Sequence, residues 1–101
     1  MRHLLNISFP HETFNAAAKD GTAGPKLERI LAELKPEAAY FTEQGGTRGA
    51  VLIIDIPEPS KIPSICEPFF LLFNARVELR IVMKPEELAK AGLGDLAKKW
   101  T

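Results

Sequence analysis

The stretch AAYFTEQGGTRGAVLIIDI, residues 38–56, predicts two β-strands joined by a tight turn. Gly45 and Gly46 separate its two halves, and glycine reaches the positive φ that two-residue hairpin turns require. The first half carries aromatic and β-branched residues, which suit a pleated surface. The second half, Val51–Ile56, is almost continuously apolar, as is typical of a central strand buried on both faces. We therefore expect the other segments to cover or extend this ribbon.

Residues that alternate between two faces predict two further strands, over 3–9 and 76–83. The segment 11–34 has helical spacing, but Asp20–Pro25 contains two glycines and a proline. These residues predict two helical pieces, with the second restarting at Gly24 and Pro25, or one kinked helix. Ser60 is expected to cap a further helix that runs through Phe73 and bends at Pro68.

The predicted order is strand, helix, strand, strand, helix, strand, followed by a helical tail over 86–101. This is the split βαβ pattern of ferredoxin-like folds, so residues 1–101 are predicted to form a single α+β domain. Right-handed crossovers place both main helices on one face of a four-stranded antiparallel sheet. The residues predicted to face the helices are Leu5, Ile7, Phe9, Leu52, Ile54, Ile56, Val77, Leu79, Ile81 and Met83.

The opposite sheet face is predicted to mix apolar and charged side chains. Its members are Leu4, Asn6, Ser8, Val51, Ile53, Asp55, Glu78, Arg80 and Val82, with Tyr40 as a further candidate. An apolar patch that also contains paired charges is typical of an interface between subunits. We expect a twofold homodimer packed sheet against sheet, with Asp55, Glu78 and Arg80 in the interface. The alternative is a monomer with scattered exposed aliphatic side chains.

Composition narrows the classes of function. The thirteen basic and thirteen acidic residues balance, which argues against nucleic acid as a partner, because binding its phosphates needs a basic face. Cys66 is the only cysteine, so no internal disulfide forms and a reducing compartment is expected. Polar residues interrupt the apolar start too early for a signal peptide, and no run is long enough for a membrane span. We therefore expect a cytoplasmic protein.

The chain resembles the dimeric α/β-barrel superfamily, and within it a group of short bacterial proteins with no established activity. The residues that carry this resemblance are Phe14-Asn15, Asp20–Gly24, Lys35–Ala38, Tyr40–Glu43, Glu67-Pro68, Phe73–Ala75, Val82-Met83 and Pro85-Glu86. The resemblance implies a ferredoxin-like dimer whose ligand cavity lies between helices and sheet. The superfamily includes cofactor-free monooxygenases, haem-degrading enzymes and isomerases, so the fold does not select a reaction.

Four polar residues are candidate catalytic groups: Asn6, His11, Tyr40 and Glu67. Asn6 is similar to the strand asparagine of the oxygenase relatives, but the helix 60–73 lacks the histidine that the haem enzymes use, and Asn6 at a subunit interface is the simpler interpretation. His11 is a candidate base because imidazole exchanges protons near neutral pH, although an exposed turn residue is expected after Pro10. His3, near a strand end, is expected to be exposed as well.

Glu67 precedes Pro68 in an otherwise apolar helix, where desolvation beside Phe69 and Phe70 would favour its protonated form. Alternatively, Glu67 binds a backbone group freed by Pro68 or pairs with an arginine. Phe69, Phe70 and Phe73 are candidate ligand-binding residues, although an aromatic cluster on a helix is more often part of the core. Across the hairpin turn, Glu43 and Arg48 are expected to pair.

The sequence predicts no metal site and no cofactor, because the two histidines lack helical metal-ligand spacing and no second cysteine is present. Two hypotheses remain for the function. The first is a homodimer that binds a small hydrophobic molecule between helices and sheet. The second is a cofactor-independent monooxygenase or isomerase acting on a small aromatic or hydrophobic molecule. A cavity between helices and sheet of about 300 Å³ or more would favour binding or catalysis over a purely structural role.

Overall fold

A computed structural model describes all 101 residues. The strands are β1 (Arg2–Ser8), β2 (Ala38–Gln44), β3 (Thr47–Asp55) and β4 (Arg76–Ile81). The helices are α1 (His11–Lys19), α2 (Ala23–Leu34), α3 (Ile62–Phe73), α4 (Pro85–Ala89) and α5 (Leu93–Lys99), with a 3₁₀ turn at Pro59–Lys61 before α3. All neighbouring strands are antiparallel, in the order β2-β3-β1-β4. The predicted ferredoxin-like α+β fold is confirmed.

The hairpin between β2 and β3 turns at Gly45 and Gly46, as predicted. Their φ angles are 58° and 86°, and positive φ at both central residues defines a type I′ turn. Gln44 and Thr47 face each other across the turn, and the pairing continues to Ala38 opposite Ile53. β3 also pairs with β1 along the whole length of β1, which makes it a central strand.

The core lies between one sheet face and the helices α1, α2 and α3. Phe9, Phe14 and Phe73 form an aromatic cluster at its centre, with ring centroids 5.1 to 5.4 Å apart. The fourteen buried core residues are Leu5, Ile7, Phe9, Ala17, Ala23, Ile30, Ala50, Leu52, Ile54, Ile56, Ile65, Phe69, Phe73 and Ala75. The predicted helix-facing residues of β1 and β3 are all in this list, because the register places Leu5 opposite Leu52 and Ile7 opposite Ala50.

The segment 11–34, which is interrupted at Asp20–Pro25, forms two separate helices. Asp20 ends α1, Gly21 has a φ of 81°, and the Asp20 carboxylate accepts hydrogen bonds from the backbone and hydroxyl of Thr22. Helix α2 therefore starts at Ala23, two residues before the predicted first helical position at Pro25. At its other end, Lys35 adopts the left-handed conformation before Pro36.

Helix α3 starts later than predicted and includes its proline. Ser60 does not cap it, because the Ser60 hydroxyl donates to Glu58 Oε1 at 3.0 Å and the residue lies in the preceding 3₁₀ turn. Pro68 is inside the helix, which continues to Phe73 and ends at Asn74 with a left-handed φ of 52°. The predicted left-handed end at Asn74 is confirmed.

The last two residues predicted to face the helices are not covered by them. Ile81 is 57% exposed and Met83 is 63% exposed, since β4 ends at Ile81 and no helix extends over this corner of the sheet. From here residues 82–101, which we term the C-terminal arm, lead away from residues 1–81, the body. The molecule measures 59 × 28 × 19 Å, with a radius of gyration of 17.1 Å, whereas a compact chain of this length has about 13 Å.

None of the helices has the length and hydrophobicity that crossing a lipid bilayer requires.

Candidate functional site

A cavity of about 410 Å³ opens at one end of the sheet, on the side that carries the helices. Its walls come from the first residues of β1, the loop after β3, the start of α3 and the end of β4. Apolar side chains form most of the wall, and His3 and Glu58 are ionisable residues in it; Arg80 also borders the cavity, but the strand register places its side chain on the open sheet face. The cavity is half open to solvent. Its lining residues are Met1, His3, Ile56, Pro57, Glu58, Pro59, Ile62, Leu79, Arg80 and Ile81.

His3 is the buried polar residue of this cavity. Strand alternation places it on the same sheet face as Leu5 and Ile7, opposite Ile54 on β3 and Ile81 on β4, and its exposure is 5%. The expectation that His3 would be exposed at a strand end is therefore wrong. The alternation of residues 3–9 indicates that His3 is buried, because His3 lies on the same face of the strand as the buried residues Leu5 and Ile7.

The hydrogen bonding of His3 leaves one ring nitrogen available. Nδ1 lies 2.9 Å from the carbonyl oxygen of Met1, and a carbonyl only accepts, so Nδ1 carries the proton and donates. Nε2 has no hydrogen-bond partner within the chain. Because every fully buried polar side-chain atom has a partner, Nε2 is not fully buried and reaches solvent. A neutral imidazole in this tautomer accepts a hydrogen bond at Nε2, and an imidazolium donates one.

Glu67, predicted as the leading catalytic candidate, lies elsewhere. It lines a groove of about 400 Å³ on the outer surface between α2 and α3. The groove residues are Arg29, Ile30, Glu33, Ser64, Glu67, Pro68, Leu71 and Leu72. Glu67 is exposed and makes neither a hydrogen bond nor an ion pair within the chain. Glu67 is therefore not desolvated beside Phe69 and Phe70. We term this groove the helix groove.

The remaining predicted catalytic residues are not brought together. Asn6 and Tyr40 share the sheet face that no helix covers, with Val51 between them in the cross-strand register. His11 is exposed at the first position of α1, as expected for a residue after Pro10. Three elements thus hold Asn6, His11 and Glu67 on three different surfaces of the body.

The three phenylalanines of α3 have two kinds of environment. Phe69 and Phe73 are buried in the core, where each ring faces Phe9 at centroid distances of 6.5 and 5.1 Å. Phe70 is 41% exposed. None of the three lines the cavity at His3 or the helix groove.

Cys66 is buried beside this cluster on α3. Burial, followed by the negative charge of the neighbouring Glu67, raises the pKa of the Cys66 thiol. A thiol in such an environment is a poor nucleophile, because the thiolate is the reactive form. The arrangement therefore does not support a catalytic cysteine.

The open sheet face carries the residues predicted for a dimer interface. Cross-strand rows place Arg80, Leu4, Ile53 and Ala38 side by side, and Glu78, Asn6, Val51 and Tyr40 in the next row. Asp55 ends β3 and lies 3.0 Å from the Met1 nitrogen. Glu78 and Arg80 make no ion pair within the chain. This face is therefore a layer of half-buried aliphatic side chains with charges at one edge, and no other element of the chain covers it.

The predicted ion pair across the hairpin turn does not form. Glu43 and Arg48 are register partners, but Glu43 Oε2 accepts from the Gly46 backbone at 3.0 Å. The Arg48 guanidinium instead donates to Asn15 Oδ1 at 2.7 Å and lies 4.5 Å from the centroid of the Phe14 ring. The expected pairing is wrong because α1 supplies a second partner that the sequence near the turn does not reveal.

No group of three or more histidine, cysteine, aspartate or glutamate side chains is placed to bind a metal ion.

Comparisons with known proteins support the fold and leave the activity open. No protein-family profile matches the chain, and no curated protein sequence matches it. Among solved structures, it is similar to 5-chloro-2-hydroxyhydroquinone dehydrochlorinase from Burkholderia phenoliruptrix AC1100, in complex with 2,5-dihydroxybenzoquinone. The TM-score is 0.63 at 17% identity, over 86% of this chain and 98% of that one. At this identity the likeness concerns the α+β ferredoxin-like fold alone.

Proposed function

We propose that this protein is a cytoplasmic homodimer that binds a small aromatic or otherwise hydrophobic molecule in the cavity at His3. The observation that carries the proposal is the free Nε2 of a buried histidine in a mainly apolar cavity between helix and sheet. Such cavities, of roughly 300–1,000 Å³ with a few oriented polar groups, are typical of small-molecule sites. The similar dehydrochlorinase, whose complex contains a small ring with hydroxyl and carbonyl oxygens, supports this class of ligand.

The polar groups of the cavity suit a ring that carries oxygen. Neutral His3 accepts from a ligand hydroxyl at Nε2, and protonated His3 donates to a carbonyl or phenolate oxygen. Ile56, Ile62 and Leu79 provide apolar contact for the ring. Hydroxyquinones and hydroxybenzoates meet these requirements.

The homodimer is proposed on the open sheet face. Leu4, Val51 and Ile53 are only half covered there by their own chain, and Tyr40 is exposed beside them. A twofold contact buries the same patch from both copies. Ile53→Lys is expected to shift the particle from dimer to monomer in sedimentation at micromolar concentration, whereas Lys19→Glu, at the exposed end of α1, is expected to leave the dimer intact. A wild-type monomer under these conditions would contradict this part of the proposal.

Binding is tested by titrating the protein with 2,5-dihydroxybenzoquinone and hydroxybenzoates while recording amide NMR shifts. The expected shifts lie at the start of β1, the loop 56–59 and the end of β4. His3→Gln is expected to weaken binding by about three- to tenfold, because it removes one hydrogen bond. His11→Gln is the matched control, since it changes the exposed histidine and is expected to leave affinity unchanged.

A second variant tests the cavity without changing its polar group. Ile81→Trp adds bulk at an exposed wall position, so the body is expected to fold while ligand access is reduced. Equal affinity in the wild type, His3→Gln and Ile81→Trp would overturn the proposed site, as would ligand shifts confined to the helix groove.

A second candidate function is isomerisation of the bound molecule, and the same free Nε2 favours it. His3 would take a proton from one position of the ligand at Nε2 and return it to another, so the sum of atoms is unchanged and no cofactor takes part. Incubation of the ligand with protein in D₂O is expected to introduce deuterium at a ligand carbon. Exchange that is equally fast with His3→Gln would exclude this role for His3.

A further inference from the structure

The C-terminal arm carries an apolar face that its own chain leaves uncovered. Leu93, Leu96 and Trp100 follow one another at intervals of three and four residues, so they lie on one side of α5. All three are exposed, Trp100 to 78%. Lys99 flanks this face, with its Nζ 5.5 Å from the centroid of the Trp100 ring, whereas Lys98 lies on the other side of the helix. The arm is thus a short amphipathic helix with a basic end and no partner.

The helix groove has the complementary chemistry. Ile30, Pro68 and Leu72 line it, and Leu71 lies at its border with 78% of its surface exposed. Its charged groups are Glu33, Glu67 and Arg29, which leave an excess of one negative charge. Glu67 and Glu33 have no ion-pair partner within the chain. An apolar groove of this shape with acidic borders suits a helix that has apolar anchors and lysines beside them.

We propose that the arm of one copy docks in the helix groove of a second copy, with Leu96 and Trp100 against the apolar floor and Lys99 beside Glu33 and Glu67. The arm leads away from its own body, giving the chain its 59 Å length, which favours a second molecule as its partner. A reciprocal exchange covers both arms and both grooves and closes with twofold symmetry. This contact uses neither the cavity at His3 nor the open sheet face, so it stands apart from the proposed function.

Trp100 is the only tryptophan, so its fluorescence reports on the arm alone. We expect its emission to move to shorter wavelength as protein concentration rises, because docking removes the indole from water. Emission typical of an exposed indole at every concentration up to about 1 mM would overturn the proposal. A blue shift independent of concentration would also overturn it, since this indicates that the arm folds back on its own body.

Charge reversal tests the groove. The double variants Glu33→Lys/Glu67→Lys and Lys98→Glu/Lys99→Glu are each expected to raise the concentration at half-shift by about tenfold or more, because like charges then face each other. Combining all four substitutions is expected to restore the shift. Glu28→Lys, on α2 outside the groove, is the matched control and is expected to behave as wild type. Half-shift concentrations that remain at the wild-type value in both double variants would exclude this groove.

If the groove variant Glu33→Lys/Glu67→Lys unfolds, the arm variant Lys98→Glu/Lys99→Glu still tests the proposal. Lys98 and Lys99 are exposed in the arm, so their reversal is not expected to affect the folding of the body. Disulfide formation in an equal mixture of Glu33→Cys and Lys99→Cys then identifies contacts between molecules only. The expected product is a mixed dimer at a higher yield than in a mixture of Glu28→Cys and Lys99→Cys. Equal yields would contradict docking in this groove.

Discussion

The body and the C-terminal arm are built from similar residues but differ in burial. All seventeen buried residues lie between His3 and Ala75, and none lies in the arm. Yet the arm contains Met83, Leu88, Leu93, Leu96 and Trp100, all of them largely exposed. Hydrophobic residues are buried in the body because β1 pairs with both β3 and β4 and three helices cover the resulting sheet. Beyond Val82, whose backbone N–H donates to the Arg2 carbonyl oxygen, the arm has only local turns, so its exposed hydrophobic residues find no second surface within the chain.

The largest test of this difference removes one side chain from each region. Phe73→Ala is expected to cost about 3–5 kcal/mol of the free energy of unfolding, because the ring is fully buried against Phe9 and Phe14. Leu88→Ala in α4 is expected to cost less than about 0.5 kcal/mol. Urea denaturation at a concentration where the protein is monomeric measures both. A cost above that of a surface substitution for Leu88→Ala would mean that the arm packs on the body in solution.

The second prediction concerns the turn that joins β2 to β3. Gly46→Val is expected to cost about 1–2 kcal/mol, because a β-branched residue is strained at a φ of 86°. Gly45→Asn is the matched control, since asparagine tolerates the left-handed φ of 58° at that position. The midpoint of urea denaturation distinguishes them. Equal destabilisation by both substitutions would indicate that the turn differs from type I′ in solution.

The strand order and the turn could be predicted because they depend on short-range chemistry. Alternation over 3–9 and 76–83, the two glycines and the breaks at Asp20–Pro25 each fix a local conformation, and together they permit few topologies. The ends of elements were less predictable. Helix α2 begins at Ala23 because Asp20 binds Thr22, and helix α3 begins at Ile62 because a 3₁₀ turn comes first.

The site depended on contacts that are distant in sequence. His3 faces the cavity because β1 pairs with both β3 and β4. The other walls therefore come from residues 56–62 and 79–81, which are distant from His3 in the sequence. Strand periodicity predicts which face of the sheet His3 lies on. It does not predict whether a residue near the end of a strand is covered by other parts of the chain. For Ile81 and His3, which are register partners, the outcomes differ: the histidine is buried and the isoleucine is exposed. His3 lies on the internal strand β1, between β3 and β4, whereas Ile81 lies on the edge strand β4, so position in the sheet and not hydrophobicity decides between them.

The third prediction addresses a long-range contact of the body for which the arm has no counterpart. Arg48→Ala is expected to cost about 0.5–1 kcal/mol, because it removes the hydrogen bond to Asn15 and the contact with the Phe14 ring. Glu43→Ala, the register partner, is expected to cost less, since Glu43 contacts only the local turn. A double-mutant cycle between Arg48→Ala and Asn15→Ala measures the coupling. Coupling of Arg48 with Glu43 instead would restore the ion pair predicted from sequence.

The last prediction concerns a local contact in the body that resembles one in the arm. In the body, the Thr22 hydroxyl and backbone N–H both donate to the Asp20 carboxylate and lower the pKa of Asp20. In the arm, the Lys84 backbone N–H donates to the Glu87 carboxylate at 2.9 Å. Because the pKa of Asp20 is lower in the folded chain, its contribution to stability is present above the unfolded pKa of about 3.9 and is lost as pH falls through the folded value. Thr22→Ala is therefore expected to raise the pKa of Asp20 in an NMR titration and to reduce the melting temperature slightly at pH 7 and less in acid. An equally large loss at low pH would assign the effect to Thr22 as the residue preceding α2 and not to the carboxylate. Both contacts join residues only two or three positions apart, so removing either one is expected to leave the body folded. The body depends instead on the long-range pairing of its strands.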